Sequence, residues 1–269
     1  MQPEREHGGA RLARMVLPLA LGLAVLALWQ IIVTAYNVPR YVLPGPLAIW
    51  QALLDDFPSL MASLWVTLRI TLLAFALAVA GGVALAILFS QSRIVEAMLY
   101  PYAVILQVTP VVAIAPLIVI WVGFERINVA LLILAWIVAF FPILSNTTLG
   151  LRSADHNLID LFRLYGASRW QILWRLKLPS ALPYLLGGMK VSGGLALIGT
   201  VVAEFTAGTG TATGLAWRIV EAGNRLQIAK MFAALFLLAA LGIAIFFAMS
   251  LLEHLILRKW HESAVDQEQ

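Results

Sequence analysis

Six stretches of this 269-residue chain are apolar over roughly the 20 residues a helix needs to cross a bilayer at about 1.5 Å per residue. They cover residues 15–35, 64–89, 100–121, 127–149, 185–207 and 230–252. Lipid offers no hydrogen-bond partner to the backbone, so a span must satisfy its N–H and C=O groups internally. The expected fold class is therefore an all-α integral membrane protein with six transmembrane helices. Composition agrees: 62% of residues are hydrophobic and only 12% charged, against about 45–50% and about 25% in a soluble domain. That balance excludes a soluble globular protein and a nucleic-acid-binding module, so the net charge of +4 is read by location rather than by sum. The chain has no cysteine and four scattered histidines, which removes disulfides, thiolate catalysis and cysteine metal sites and makes a metal centre unexpected.

Arg11 and Arg14 precede the first stretch as in a signal peptide. The run is too long, ends in Trp29 and Gln30 and shows no A-x-A cleavage pattern, so a retained helix is expected. Six spans place both termini on one side. With the N-terminus inside, the inner segments hold Arg5, Arg11, Arg14, Arg93, Arg152, Arg163, Arg169, Arg175, Lys177, Arg258 and Lys259. The outer segments hold Arg40, Arg126, Arg218, Arg225 and Lys230, while Arg69 and Lys190 fall within helices. This bias predicts both termini in the cytoplasm. Residues 1–14 and 258–269 are expected as cytoplasmic tails flanking a membrane domain at 15–257. The third stretch carries Pro101, Pro110 and Pro116, which predicts a kinked helix that either lines a path or merely packs.

The long inner connection, residues 150–184, reads as two short helices, an elbow over 153–179. Leu158, Leu161, Phe162 and Tyr165 form an i, i+3, i+4, i+7 stripe after a cap at Ser153 or Asp155. Gly166 stands where a C-cap requires positive φ. Ser168 and Gln171 are spaced as a capping box, opening a second helix expected to end at Pro179. The stripe either packs on the protein's own helix ends or docks into a partner's groove.

The run Asp160-Leu161-Phe162, three residues, Gly166, nine residues, Leu176-Lys177-Leu178-Pro179 resembles the cytoplasmic signature of ABC importer permeases. That signature reads Glu-Ala-Ala, three residues, Gly, nine residues, Ile-x-Leu-Pro. Leu161 and Phe162 replace its two alanines. Leu43-Pro44-Gly45-Pro46, the run Phe141 to Thr147, Gly166-Ala167-Ser168 and Val201-Val202-Ala203-Glu204 are similar to the nitrate, sulfonate and taurine branch. The resemblance implies that Asp160, Leu161, Phe162, Gly166, Ala167, Ser168, Leu178 and Pro179 form a coupling elbow seated in a separate ATPase subunit. It also implies two ATPase copies, a second permease copy expected as a homodimer, a periplasmic substrate-binding protein, and residence in the bacterial inner membrane. No lysine follows a glycine, so the chain lacks a P-loop lysine. No cofactor is expected on this chain, and ATP with Mg would be bound by the partner. The solute implied is a small anion such as a sulfonate, taurine or nitrate, or else a vitamin-precursor heterocycle.

Ionisable residues inside a bilayer are costly and therefore candidate functional groups. Arg69 lies roughly 9 Å into the second span and Glu204 roughly 30 Å along the fifth. They would form a structural ion pair, line an outer gate, or snorkel separately to water. Gln107, Asn146 and Thr200 are further candidates for a polar path, together with Thr67, Thr71, Thr109, Ser145 and Thr147, although serines and threonines also bond within their own helices. Ser192, Ala196, Gly199 and Ala203 make a small-residue stripe, either an internal helix contact or a dimer seam. The glycine-rich segment 208–214 reads as a flexible outer loop leading into a short polar segment, 215–226. A membrane enzyme would require a nucleophile, acid pair or metal cluster, and an ion-coupled transporter would show inverted repeats; neither pattern is present in the sequence.

Overall fold

The computed structural model of this chain describes residues 6–207 and 214–258. Of the expected tails, residues 1–5 and 259–269 lie outside these residues, as does most of the glycine-rich segment, while 6–14 form the start of the first helix. Helices α1 (Glu6–Ala35), α2 (Pro46–Asp55), α3 (Phe57–Gln91), α4 (Arg93–Val108), α5 (Val111–Val122) and α6 (Ile127–Arg152) follow one another. Then come α7 (His156–Leu164), α8 (Arg169–Ile172), a π turn (Leu173–Lys177), α9 (Leu178–Ala207), α10 (Leu215–Asn224) and α11 (Ile228–Leu257). Five helical segments are long and apolar enough to span a membrane, and α4 with α5 makes a sixth as a broken pair. The observed helices start well before the apolar stretches in α3, α4 and α9, at Phe57, Arg93 and Leu178, because hydropathy marks the lipid-facing part of a helix rather than its caps. The short α2 carries no membrane-length signal; its mark in the sequence is Pro46 at the first helical position after the extended Gly45.

The chain divides into two compact units. One comprises residues 1–60 and 218–236. Within it the Gln30 side chain accepts a hydrogen bond from the Leu47 N–H at 3.3 Å, and Trp29 meets Phe232 with ring centroids 5.9 Å apart. Glu221 accepts from Arg218 at 2.7 Å and pairs with Arg225 at 3.0 Å. The Arg218 hydrogen bond is the leading reason its carboxyl is held below the usual range.

The other unit, residues 61–217 and 237–269, holds the main core around α6. Ala78, Ala86 and Phe89 of α3 pack on Ala139, Phe140 and Leu144 of α6, with Leu173, Ala181 and Ala196 joining from the elbow and α9. The small-residue stripe of α9 faces α6 within the same chain. Ser192 Oγ donates to the Ala139 carbonyl at 2.8 Å, and a Cβ on Gly199 would lie 3.0 Å from Ala135 Cα. The stripe is thus an internal seam that lets two backbones approach closely.

A single kinked third span is corrected to two helices meeting at 102°. Pro101 and Pro116 are accommodated inside α4 and α5. Pro110 is the break: it lacks an N–H and pushes the preceding Thr109 out of the helical region, so both residues are extended. Thr109 Oγ1 donates to the Ile105 carbonyl at 2.7 Å, and the Pro110 carbonyl accepts from Ala113 N–H at 2.9 Å. The stretch is held on both sides of the break. Ala115 and Val119 of α5 pack with Ala130, Leu131 and Leu134 of α6, while Tyr100 of α4 packs against Phe89 and Phe141.

Candidate functional site

Helix α7 starts where Asp155 accepts a hydrogen bond from Asn157 N–H at 2.8 Å. Ser153 instead donates to the Gly150 carbonyl at 2.9 Å, which settles the choice of cap. At the other end Gly166 adopts φ +72°. Its N–H bonds the Arg163 carbonyl at 2.9 Å, and the Ala167 N–H reaches back to Phe162, also at 2.9 Å. This is the Schellman pattern, which satisfies otherwise orphaned carbonyls and turns the chain. Two residues later Ser168 N–H donates to Gln171 Oε1 at 2.7 Å and Ser168 Oγ accepts from Gln171 N–H at 3.3 Å, completing the expected capping box.

The second elbow helix does not end at Pro179. Helical backbone continues from Arg169 through the π turn into α9, with Pro179 in the first turn of the latter. In a regular α-helix the Pro179 ring would collide with the Arg175 carbonyl. The wider turn at Leu173–Lys177 opens that gap, a use to which single π turns are suited.

The elbow divides its apolar residues differently from the expected stripe. Ile159 is buried with Ala154 and Ile172, and Phe162, Ala167 and Leu176 pack against them. Of the four stripe residues, only Phe162 joins that cluster. Leu158, Leu161 and Tyr165 are exposed, as are Leu164, Trp170 and Trp174. Leu164 and Tyr165 are each 84% exposed. Asp160 pairs with Arg163 at 3.1 Å on the surface. Leu178 packs on the α3–α6 core.

The second cluster lies where α3, α9 and the start of α10 meet. Glu204 has no exposed surface. Its Oε1 accepts from Thr67 Oγ1 at 2.8 Å and its Oε2 from the Ala216 N–H at 2.9 Å, with the Trp217 N–H donating as well. Thr67 Oγ1 in turn accepts from the Leu215 N–H at 2.9 Å. Thr71 Oγ1 lies 2.8 Å from the Thr67 carbonyl and 3.1 Å from Thr200 Oγ1, and Thr200 donates to the Ala196 carbonyl at 2.9 Å. The result is a buried polar ladder in which one carboxylate caps the N-terminus of α10, where N–H groups lack helical partners and the helix dipole favours negative charge.

Gly214 is required at this junction by close approach. A Cβ there would overlap the Glu204 carboxylate. We expect Gly214→Ala to lower thermal stability in detergent and to reduce transport. In a Glu204→Ala background the same substitution is expected to do little more, and full additivity of the two in a double-mutant cycle would refute the contact.

Arg69 and Glu204 do not pair. Arg69 is exposed on α3 and makes no ion pair among the described residues, while Glu204 is satisfied by neutral donors. An ion pair between two membrane-length helices is made instead by Lys190 of α9 and Glu253 of α11, at 2.9 Å, with the Lys190 ammonium 5.4 Å from the Phe246 ring centroid. Gln107 is exposed on α4, and Asn146 is half-buried with Nδ2 donating to the Pro142 carbonyl at 2.8 Å. Of the polar candidates, the structure joins Glu204 and Thr200 through Thr67 and Thr71, and leaves Arg69, Gln107 and Asn146 apart. The amides of Leu215 and Ala216 were invisible to sequence reasoning because backbone donors carry no side-chain signature. Gly214 was discernible only as one glycine in a run.

Residues 78–258 match the family described as binding-protein-dependent transport system inner membrane components. The riboflavin transport system permease protein RibX of Chloroflexus aurantiacus is 36% identical over 253 residues, 91% of each chain. The taurine transport system permease protein TauC of Escherichia coli is 30% identical over 245 residues, 88% of this chain and 86% of that one. A solved amino acid ABC transporter with histidines superposes with a TM-score of 0.62 at 16% identity, covering 78% of this chain and 97% of the other.

Proposed function

This chain belongs to the family of binding-protein-dependent transport system inner membrane components, the permeases of ABC importers, and on that premise we propose that the α7–α8 elbow is its coupling device to a separate ATPase. The observation that carries the proposal is the exposed apolar surface of Leu158, Leu161, Leu164 and Tyr165 on a helix whose opposite side is anchored by Ile159. Such a surface on a short, well-capped helix suits insertion into a partner's groove. In this reading Asp160, Leu161, Phe162, Gly166, Ala167, Ser168, Leu178 and Pro179 carry the coupling elbow, and the chain itself is non-catalytic. Two ATPase subunits bind ATP and Mg, a second copy of this chain completes the path, and a periplasmic binding protein delivers the solute. Both termini lie in the cytoplasm. Nucleotide shifts the balance between inward-open and outward-open arrangements through the elbow.

The solute in this proposal is a small hydrophilic anion such as a sulfonate, taurine or nitrate. A second reading, a vitamin-precursor heterocycle, is favoured by the 36% identity to a relative named for riboflavin transport. Purification of the full-length chain from membranes is expected to bring an ATPase subunit with it. The reconstituted complex should take up solute only with ATP and the binding protein. Intact transport by a preparation free of any ATPase would overturn the proposal.

A further inference from the structure

Where α3, α4, α6 and α7 end or begin together, they leave a cleft of about 830 Å³. Its polar wall is basic. Arg93 comes from the start of α4, Arg152 from the end of α6, His156 and Arg163 from α7, and Lys177 from the π turn. Glu96 is the one acid on this wall and is engaged by Arg152, while Arg163 is engaged by Asp160. Arg93 and Lys177 form no ion pair among the described residues. Three arginines and Lys177 therefore meet two acids, and the surplus of positive charge faces a concave space where field lines concentrate.

The apolar part of the lining is Tyr100 and Pro101, backed by the buried Phe89, Leu151 and Ile159. A volume of this size is that of a pocket for an organic ligand and far exceeds what one inorganic anion fills. Phe89 and Ser90 stand near the end of the α3 membrane span, so the cleft opens at the level where hydrocarbon gives way to headgroups. A ligand suited to this lining carries negative charge and hydrocarbon together.

We infer that this cleft binds the headgroup of an anionic phospholipid, with Arg93 and Lys177 taking the phosphodiester and Tyr100 and Pro101 taking the upper part of an acyl chain. Basic pockets among membrane helices recognise acidic lipids in this way. The inference rests on the membrane-spanning reading of the fold, and on the elbow side being cytoplasmic for its choice of leaflet. It is independent of the solute, and it shares His156, Ile159, Arg163 and Lys177 with the elbow proposed to dock on the ATPase.

The test uses the full-length chain in nanodiscs of phosphatidylcholine carrying a trace of spin-labelled phosphatidylglycerol or spin-labelled phosphatidylcholine. The native chain is expected to immobilise the phosphatidylglycerol label about thirtyfold more strongly than the phosphatidylcholine label, given about 1 kcal/mol from each of the two unpaired basic residues near the surface. Arg93→Gln/Lys177→Gln should bring the two labels close to parity, and Arg93→Lys/Lys177→Arg should keep the preference. Arg93→Gln alone changes an exposed position and serves as a second probe with half of the effect. Equal immobilisation of both labels by the native chain, or an unchanged preference in the Gln variants, overturns the inference. So does loss of the preference on adding inorganic phosphate at constant ionic strength, which would assign the cleft to a free anion. Co-purification of the ATPase, measured on the same variants, reports separately on the proposed coupling role.

Discussion

Gly166→Val is expected to reduce ATP-driven uptake at least about tenfold while leaving the membrane helices folded. At φ +72° a non-glycine residue costs about 1–2 kcal/mol, and a β-branched one more. Nothing lies within 4 Å of a Cβ placed there, so the penalty is torsional and not steric. To escape it the chain must leave the left-handed region, which breaks the bonds from Gly166 to Arg163 and from Ala167 to Phe162. The exit angle of the elbow then changes, and with it the placement of Leu161, Leu164 and Tyr165 relative to a partner. The core built on Ala139, Phe140 and Leu144 is untouched, so circular dichroism and the detergent Tm should stay near those of the native chain. Gly166→Asn should restore much of the activity, because asparagine tolerates this conformation at a C-cap. Uptake by the valine variant at the native rate would remove the elbow from the mechanism.

Glu204 carries the second large effect, and two substitutions separate its roles. Glu204→Leu leaves the Thr67 hydroxyl and the Ala216 N–H buried without acceptors, at about 1–3 kcal/mol each. Yield in membranes and uptake per molecule should both fall. Glu204→Gln keeps the shape and one acceptor oxygen but turns an NH2 group toward a donor. Its yield should stay close to native while uptake per molecule in proteoliposomes drops several-fold, because the α9–α10 junction loosens without unfolding. Thr67→Val, which removes both the donor to Glu204 and the acceptor for Leu215 N–H, should resemble the Gln variant. Proportional loss of yield and uptake in Glu204→Gln would make the ladder purely structural.

Much of this was legible in the sequence because it depended on local rules. Apolar runs marked the spans, Gly166 marked a left-handed cap, and Ser168 with Gln171 marked the capping box, each requiring only neighbours along the chain. The failures share a different cause. Pro179 was expected to stop a helix, yet the π turn before it relieves the clash, and that turn depends on backbone spacing which no residue type announces. Pro101, Pro110 and Pro116 looked equivalent, but only Pro110 follows a residue driven into the extended region, with α5 free to pack separately on α6. Arg69 and Glu204 invited pairing because both are ionisable and fall at plausible depths. The partners of Glu204 are hydroxyl and backbone donors, and Lys190 with Glu253 supplies the ion pair. Distant partners of this kind are set by helix rotation, which hydropathy does not report.

The unbroken helical backbone from Arg169 to Ala207 has a mechanical consequence. No loop intervenes between the elbow, at Trp170, and the carboxylate that secures α10, at Glu204, so any change of direction between them arises in the helix itself, where the π turn and Pro183 are the points of bending. Each residue in an α-helix advances the azimuth by about 100°, so the wide turn at Leu173–Lys177 fixes the phase between what is pushed below and what is turned above. Removing a single residue from that turn would leave both ends folded yet pointing in the wrong directions.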